Sequence, residues 1–155
     1  MREEILLLRW LDIPPTWLVA GLLSAFGLDR LLPGLGFGWD WTRLVGDILI
    51  VAGLGSMGAA VLEFIRARTS FIPRRRPSAF LRSGIYRFTR NPIYLGDAMV
   101  LAGAILHWDV LPALVLVPVF GSFIERRFIR GEEAGLIAAF GDEARDWMGQ
   151  VRRWL

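Results

Sequence analysis

The chain of 155 residues has no cysteine, no lysine and a single histidine. Without cysteine there is no disulfide, no thiolate metal ligand and no thiol nucleophile. The lone His107 stands apart in the turn His107-Trp108-Asp109 and is expected to be a loop residue. No His/Cys cluster is available for a metal, and none is expected. The absence of lysine makes all eighteen basic residues arginine, against fifteen acids and a net charge of +3. The glycine patterns GLGFG (34–38) and GLG (53–55) follow no strand of a βαβ unit, so a Rossmann nucleotide site is excluded. Internal repeats and low-complexity stretches are also absent.

Hydrophobic residues make up 54% of the chain and mean hydropathy is +0.45, above the usual apolar share of a soluble domain. Four apolar segments carry the excess: Trp17–Leu32, Leu44–Ile65, Pro92–Leu106 and Val110–Ile124. The second is long enough to cross a ~30 Å hydrocarbon core, which takes about 20 helical residues. The third and fourth are shorter and separated only by residues 107–109, so they should form a helical hairpin. The expected fold is therefore all-α: an integral membrane bundle of about four transmembrane helices with a cytoplasmic C-terminal helical cap.

Arginine placement supplies an orientation. Residues 66–90 contain eight Arg and no acid, whereas connections 33–41 and 107–109 contain no Arg and one Asp each. By the positive-inside rule both termini and the 66–91 loop are cytoplasmic. Trp39, Trp41 and Trp108 then fall at the outer interface, with Trp10 and Trp17 near the inner one. The same placement explains a pI near 10.5 without a nucleic-acid partner. Arg74-Arg75-Arg76 marks the inside face and is placed to meet anionic head groups. The N-terminus, MREEILLLRWLDIPP, has no clear cleavage site and is expected to be retained, residues 3–12 forming an interfacial helix. Residues 125–155 have helical spacing up to Phe140, and Gly141 should break that helix before a second short one.

Polar residues inside the apolar segments need a reason. Arg90, Tyr94, Asp97 and Leu101 share one face of a helix continuing from Pro92. Asp97, about one turn inside, either pairs with Arg90 or serves a cavity or partner. Asp47 and Glu63 lie nearer segment ends and read as structural, and the small residues of AGLGSMGAA (52–60) fit close helix packing in lipid.

Two polar motifs bracket the hairpin: Gly84-Ile85-Tyr86-Arg87 with Arg90-Asn91-Pro92-Ile93-Tyr94-Leu95-Gly96, and Arg130-Gly131-Glu132-Glu133 with Leu136, Phe140-Gly141 and the tail Val151–Leu155. Together they resemble the isoprenylcysteine carboxyl methyltransferase and phospholipid methyltransferase superfamily of integral membrane enzymes, over about residues 44–155. Asn91 stands where that family usually has His, Ile85 where it has Pro, and Ala144 and Trp147 where many relatives have Tyr. The resemblance implies one membrane methyltransferase domain over 1–155, in which residues 1–43 precede a family-like core at 44–155. It implies S-adenosylmethionine as cofactor, S-adenosylhomocysteine as product, and a site of Tyr86, Arg87, Arg90, Asn91, Pro92, Tyr94, Leu95, Gly96, Arg130, Glu132 and Glu133. Within that set Arg90, Asn91 and Glu133 are the catalytic candidates. Arg90 or Arg87 would hold the cofactor carboxylate. Asn91 and Tyr94 would bind its amino-acid portion, and Glu132 or Glu133 its ribose hydroxyls or ammonium, while Gly96 would allow close backbone approach. The implied acceptor is lipophilic, a small molecule or a prenylated chain entering from the membrane lipids. A carboxylate needs no general base, so a residue 91 without imidazole leans toward an isoprenylcysteine-type carboxylate. The alternatives are a phospholipid amine, an NADPH-dependent membrane reductase relative, or a non-catalytic scaffold.

Overall fold

A computed structural model describes residues 12–68 and 80–155. The interfacial helix read over 3–12 lies, but for Asp12, outside the described residues, as do Trp10 and Arg74-Arg75-Arg76. All regular structure among the described residues is helical. Helix α1 runs Pro14–Leu31, with proline in its first turn where the missing N–H costs no intrahelical bond. Helix α2 runs Asp40–Arg66. A 3-10 turn at Gly84–Arg87 leads to α3, Pro92–His107. Another at Leu111–Val115 opens α4, Leu116–Ile124. A π-helical turn, Glu125–Ile129, then carries α4 into α5, Arg130–Gln150. The fourth apolar segment and the charged C-terminal region are thus joined without a loop. Within α5, Gly141 leaves the helical range (φ 59°, ψ −129°), a conformation open essentially only to glycine. The expected break is where the sequence put it.

Of the described helices, α2 alone is long and apolar enough to cross a bilayer unaided. Its 27 residues span about 40 Å, whereas the 16 of α3 span about 24 Å at 1.5 Å per residue. Apolar side chains point outward along its length, including Leu44, Ile48, Val51, Leu54, Leu62 and Ile65. Its buried positions are instead Thr42, Gly46, Gly53, Ser56, Ala60 and Glu63. A helix that hides its small and polar residues and exposes its aliphatic ones has the pattern of packing in lipid, where the surroundings are as apolar as leucine.

The hidden face has a period of seven: Gly46, Gly53 and Ala60 on α2, Gly96 and Gly103 on α3. The two helices run antiparallel with these positions in register. A Cβ built on Gly53 would lie 2.7 Å from the Gly96 carbonyl oxygen, and one on Gly46 2.5 Å from that of Gly103. Backbone therefore rests on backbone. Ser56 Oγ adds a hydrogen bond to the Pro92 carbonyl at 2.7 Å. The opposite face of α3 enters the main apolar core, where Leu101 and Ile105 meet Ala25 of α1 and Phe120 and Ile124 of α4.

The ends of the bundle differ in chemistry. At one end Trp39 stacks on Trp41, Phe26 meets Trp108 edge-on, and His107 Nδ1 lies 2.6 Å from Asp47 Oδ1. Asp109, at a positive φ of 62°, accepts from the Phe37 and Gly38 amides and closes the 32–39 connection. His107 ends α3 rather than standing in a loop, and Asp47 has the structural role expected of it. At the other end Glu63 accepts from Ser83 Oγ and Arg66, directly beside Gly84, whose φ is +56°. Trp17 also lies at that end, bonded to Asp12.

A side chain at Gly53 must drive the two backbones apart, whereas one at Gly55 meets nothing within 4 Å. Gly53→Leu should therefore lower stability by about 1–3 kcal/mol, the usual cost of overpacking or more, and Gly55→Leu should be nearly neutral. Thermal unfolding of the detergent-solubilised protein measures both.

Candidate active site

The stretch SGIYRFTRNPIYLG (83–96) turns into α3 at Pro92. Ahead of that turn the C-terminal tail lies along the chain. Arg90 N–H donates to the Arg152 carbonyl at 3.0 Å, and Asn91 Nδ2 to the Arg153 carbonyl at 2.9 Å. Thr89 Oγ1 donates to the same carbonyl at 3.3 Å and accepts from the Asn91 amide. Asn91 thus donates from its side-chain amide to the tail.

This docking delivers Arg153 to the two acidic positions of the α4–α5 joint. Its Nε and Nη2 form a fork on Glu133 at 3.0 and 2.7 Å, and its Nη1 reaches Glu125 at 2.9 Å. Arg90 Nη1 stands 3.3 Å from Glu133, and Arg130 Nη2 2.9 Å from Glu125. The π-helical turn brings Glu125 and Arg130, five residues apart, onto one line. The result is a chain of alternating charge, Arg90–Glu133–Arg153–Glu125–Arg130, with three cations to two anions. With Glu132 beside them the acids also number three, so an unused donor rather than net charge is what suits an anionic ligand group. Arg90 Nε is buried with no hydrogen-bond partner among the described residues, leaving one aimed donor for such a group. Burial draws Arg90 below its ordinary pKa, with Arg153 adding to the effect and Glu133 opposing it. The Glu133 fork holds Arg153 above its ordinary value.

One helical turn into α3, Tyr94 donates its hydroxyl to Glu132 Oε1 at 2.7 Å and packs on Phe128. Of the residues expected in the site, Arg90, Asn91, Tyr94, Arg130, Glu132 and Glu133 are therefore brought together. The others are placed elsewhere. Pro92 and Gly96 face α2, so the bare Cα of Gly96 serves helix packing, against Gly53 and Met57. Leu95 is half-buried in the first turn of α3, and Arg87 is exposed and makes none of these contacts. Tyr86 lies in a second core with Ala60, Phe64 and Trp147, and Phe80 packs edge-on against Trp147. Burial, with Glu132 and then Glu63 adding, pushes the Tyr86 hydroxyl well above its ordinary pKa, so it stays neutral. Ala144 and Trp147, at positions where relatives carry Tyr, are both core residues here.

Two expectations change. Arg90 does not pair with Asp97; it pairs with Glu133, and Asp97 is left alone. Arg153 and Glu125 were absent from the expected site, although they hold it together. Arg153 lay within the basic-aromatic tail of the second motif, and Glu125 precedes Glu133 by eight residues, two turns back on the helix.

A group carrying a carboxylate, an ammonium and hydroxyls fits this residue set. Arg90 Nε suits the carboxylate, and Glu132 offers an acceptor to donors. S-adenosylmethionine is such a group.

Removing the Arg153 side chain leaves Glu133 with Arg90 alone and unties the tail from the two acids, while its carbonyl contacts remain. Arg153→Ala should cost about 1–3 kcal/mol, as for hydrogen bonds to charged groups. The hydrogen bond from Arg130, with Arg153 adding, holds Glu125 below the usual carboxylate range. A lowered folded pKa contributes stability that is complete above the unfolded value of about 4.3 and fades as pH falls through the folded one. The stability gap between the unaltered protein and Glu125→Gln should therefore be full at pH 6 and shrink below about pH 4. Tryptophan fluorescence during denaturation at each pH follows it.

No curated protein and no solved structure matches the chain. A family model described as Phospholipid methyltransferase matches residues 41–143, from the start of α2 through the Glu132-Glu133 pair and past the Gly141 break. The docked tail lies beyond the matched span. With the first polar motif, the hairpin and the second motif up to Gly141 inside a match covering most of its length, the chain belongs to the phospholipid methyltransferase family of membrane enzymes.

Proposed function

We propose that the chain transfers a methyl group from S-adenosylmethionine to the headgroup amine of a phospholipid, at the end of the bundle that carries Arg90 and Glu133. The observation that carries the reading is the buried Nε of Arg90, unpartnered among the described residues, within an Arg/Glu cluster at the mouth of an apolar hairpin. The family description supports a phospholipid acceptor over the isoprenylcysteine carboxylate favoured by the sequence alone. Asn91 in place of His keeps the carboxylate as the second reading.

When bound, the cofactor supplies a methyl group on a positively charged sulfur. The rest falls to the chain. Arg90 binds the carboxylate end through a charge-assisted hydrogen bond. Glu132, held by Tyr94, accepts from hydroxyl or ammonium donors. Glu133 is already forked by Arg153, so it orients the two arginines rather than meeting the cofactor directly. Displacement at carbon requires an aligned nucleophile stripped of water, and the buried Tyr94 and Phe128 supply the dry wall below the charges. The exposed aliphatic faces of α1, α2 and α4 fit a multi-pass chain whose acceptor arrives sideways from lipid. By the positive-inside rule, Arg66, Arg68, Arg82, Arg87 and Arg90 support a cytoplasmic reading of the charged end, the tail and the site.

Binding of S-adenosylhomocysteine to detergent-solubilised protein tests the cofactor assignment. Arg90→Ala should weaken binding by about 10- to 100-fold, equivalent to about 1.4–2.7 kcal/mol, and Glu133→Ala should weaken it as well by freeing the arginines. No binding by the unaltered protein, or undiminished binding by both variants, would sink it. Transfer of a labelled methyl group to phosphatidylethanolamine and to a prenylcysteine analogue, side by side, then separates the two acceptors.

A further inference from the structure

Asp97 is the one ionisable residue in the middle of α3, only 4% exposed, and its Oδ2 has no hydrogen-bond partner among the described residues. It shares the helix face of Tyr94 and Leu101. Tyr94 packs on Phe128 of the π-helical turn, and Leu101 fills the space beside Gly21 of α1. Asp97 therefore lies on the helix face between these contacts, rather than on the glycine seam. A carboxylate in such a place must be neutralised by a cation or a proton. Among the described residues no cation reaches it. Helix α4 has no ionisable residue, and neither has the Leu111–Val115 turn. Asp29 and Arg30 of α1, and Asp40, Arg43 and Asp47 of α2, belong to the far end, while Glu63 is engaged by Ser83 and Arg66. Tyr94 and Glu132, one turn nearer the charged cluster, are bonded to each other. Arg90 is held by Glu133, seven positions and about 10 Å of helix away. An ionisable residue so placed within an apolar bundle is by default a candidate functional group.

We infer that Asp97 is a catalytic residue that receives the ammonium nitrogen of the acceptor and takes its proton before methyl transfer. This rests on the amine reading above. An ammonium has no lone pair, so it cannot attack until one N–H bond is broken. Asp97 Oδ2 accepts that proton and becomes a neutral carboxylic acid. The freed lone pair forms the N–C bond to the methyl carbon of the sulfonium donor. The C–S bond breaks and its electron pair stays on sulfur. The product nitrogen is again cationic, and Asp97 returns its proton to water at the charged end. A carboxylate acceptor would need none of this and would be repelled by Asp97, so the residue also selects for amines.

The test uses the full chain in nanodiscs containing phosphatidylethanolamine. Asp97→Asn keeps shape and removes the base. It should lower the methylation rate at pH 7 by about 10²- to 10⁴-fold, the usual contribution of a general base, with S-adenosylhomocysteine affinity unchanged. As pH rises the variant should regain rate in proportion to the neutral amine, while the unaltered protein changes little. Asp97→Glu should restore part of the rate. The thermal midpoint of Asp97→Asn should rise, because an unpaired buried charge is gone. Amine methylation by Asp97→Asn at the unaltered rate and with the same pH profile would overturn the assignment and leave the proposed function standing. A lower midpoint, or a loss of rate that pH does not recover, would mean a structural role and overturn it too. Absence of methyl transfer to amines by the unaltered protein would remove the proposed acceptor, and Asp97's role with it.

Discussion

Everything at the charged end depends on the contact of α2 and α3 through bare backbone. Glycines at 46 and 53 face glycines at 103 and 96, and no side chain separates the helices. In lipid, helices gain little from burying apolar surface, so close approach and hydrogen bonding must fix their register. Here the register is fixed within a fraction of a residue, since any Cβ would collide. It sets the height of Pro92 against Ser56, and so the point at which the chain leaves the apolar region. The Thr89-Arg90-Asn91 entrance is held there, available to the tail.

The tail then does what a long connection would otherwise have to do. Three hydrogen bonds to the carbonyls of Arg152 and Arg153 dock it on the entrance, and the Arg153 side chain reaches across to Glu133 and Glu125. The π-helical turn is the matching device on the other side. Such turns recur at functional sites because one extra residue re-aims the side chains that follow. Arg130, Glu132 and Glu133 follow directly. The cluster is thus assembled from three separate stretches of the chain and interlocked by its own ion pairs, the kind of arrangement that alignment for displacement requires.

Much of this was legible in order and little in contact. The apolar segments, the glycine break at 141 and the small-residue face of α2 follow from periodicity and composition, because helices in lipid repeat their environment along the chain. The two polar motifs announced Arg90, Tyr94, Glu132 and Glu133. What the motifs did not separate was which members meet each other. Gly96 and Pro92 stand inside the same motif as Arg90 and face the other way, toward α2, because a helix turns by about 100° per residue. Arg153 could not be singled out from Arg152, since only the docked conformation of the tail decides which guanidinium reaches the acids.

The amino-acid sequence by itself determined that the chain is helical, apolar along four segments, charged at one end and free of cysteine and lysine chemistry. Those properties belong to residues and their spacing, and need no knowledge of what lies opposite. The tertiary structure decided the pairings. It gave Arg90 to Glu133 rather than to Asp97, although the helix alone would have allowed either, because the docked tail and the π-helical turn place Glu133 within reach. It also left Asp97 buried with its Oδ2 unpartnered among the described residues, since the described helices packed around it bring no cation to that depth.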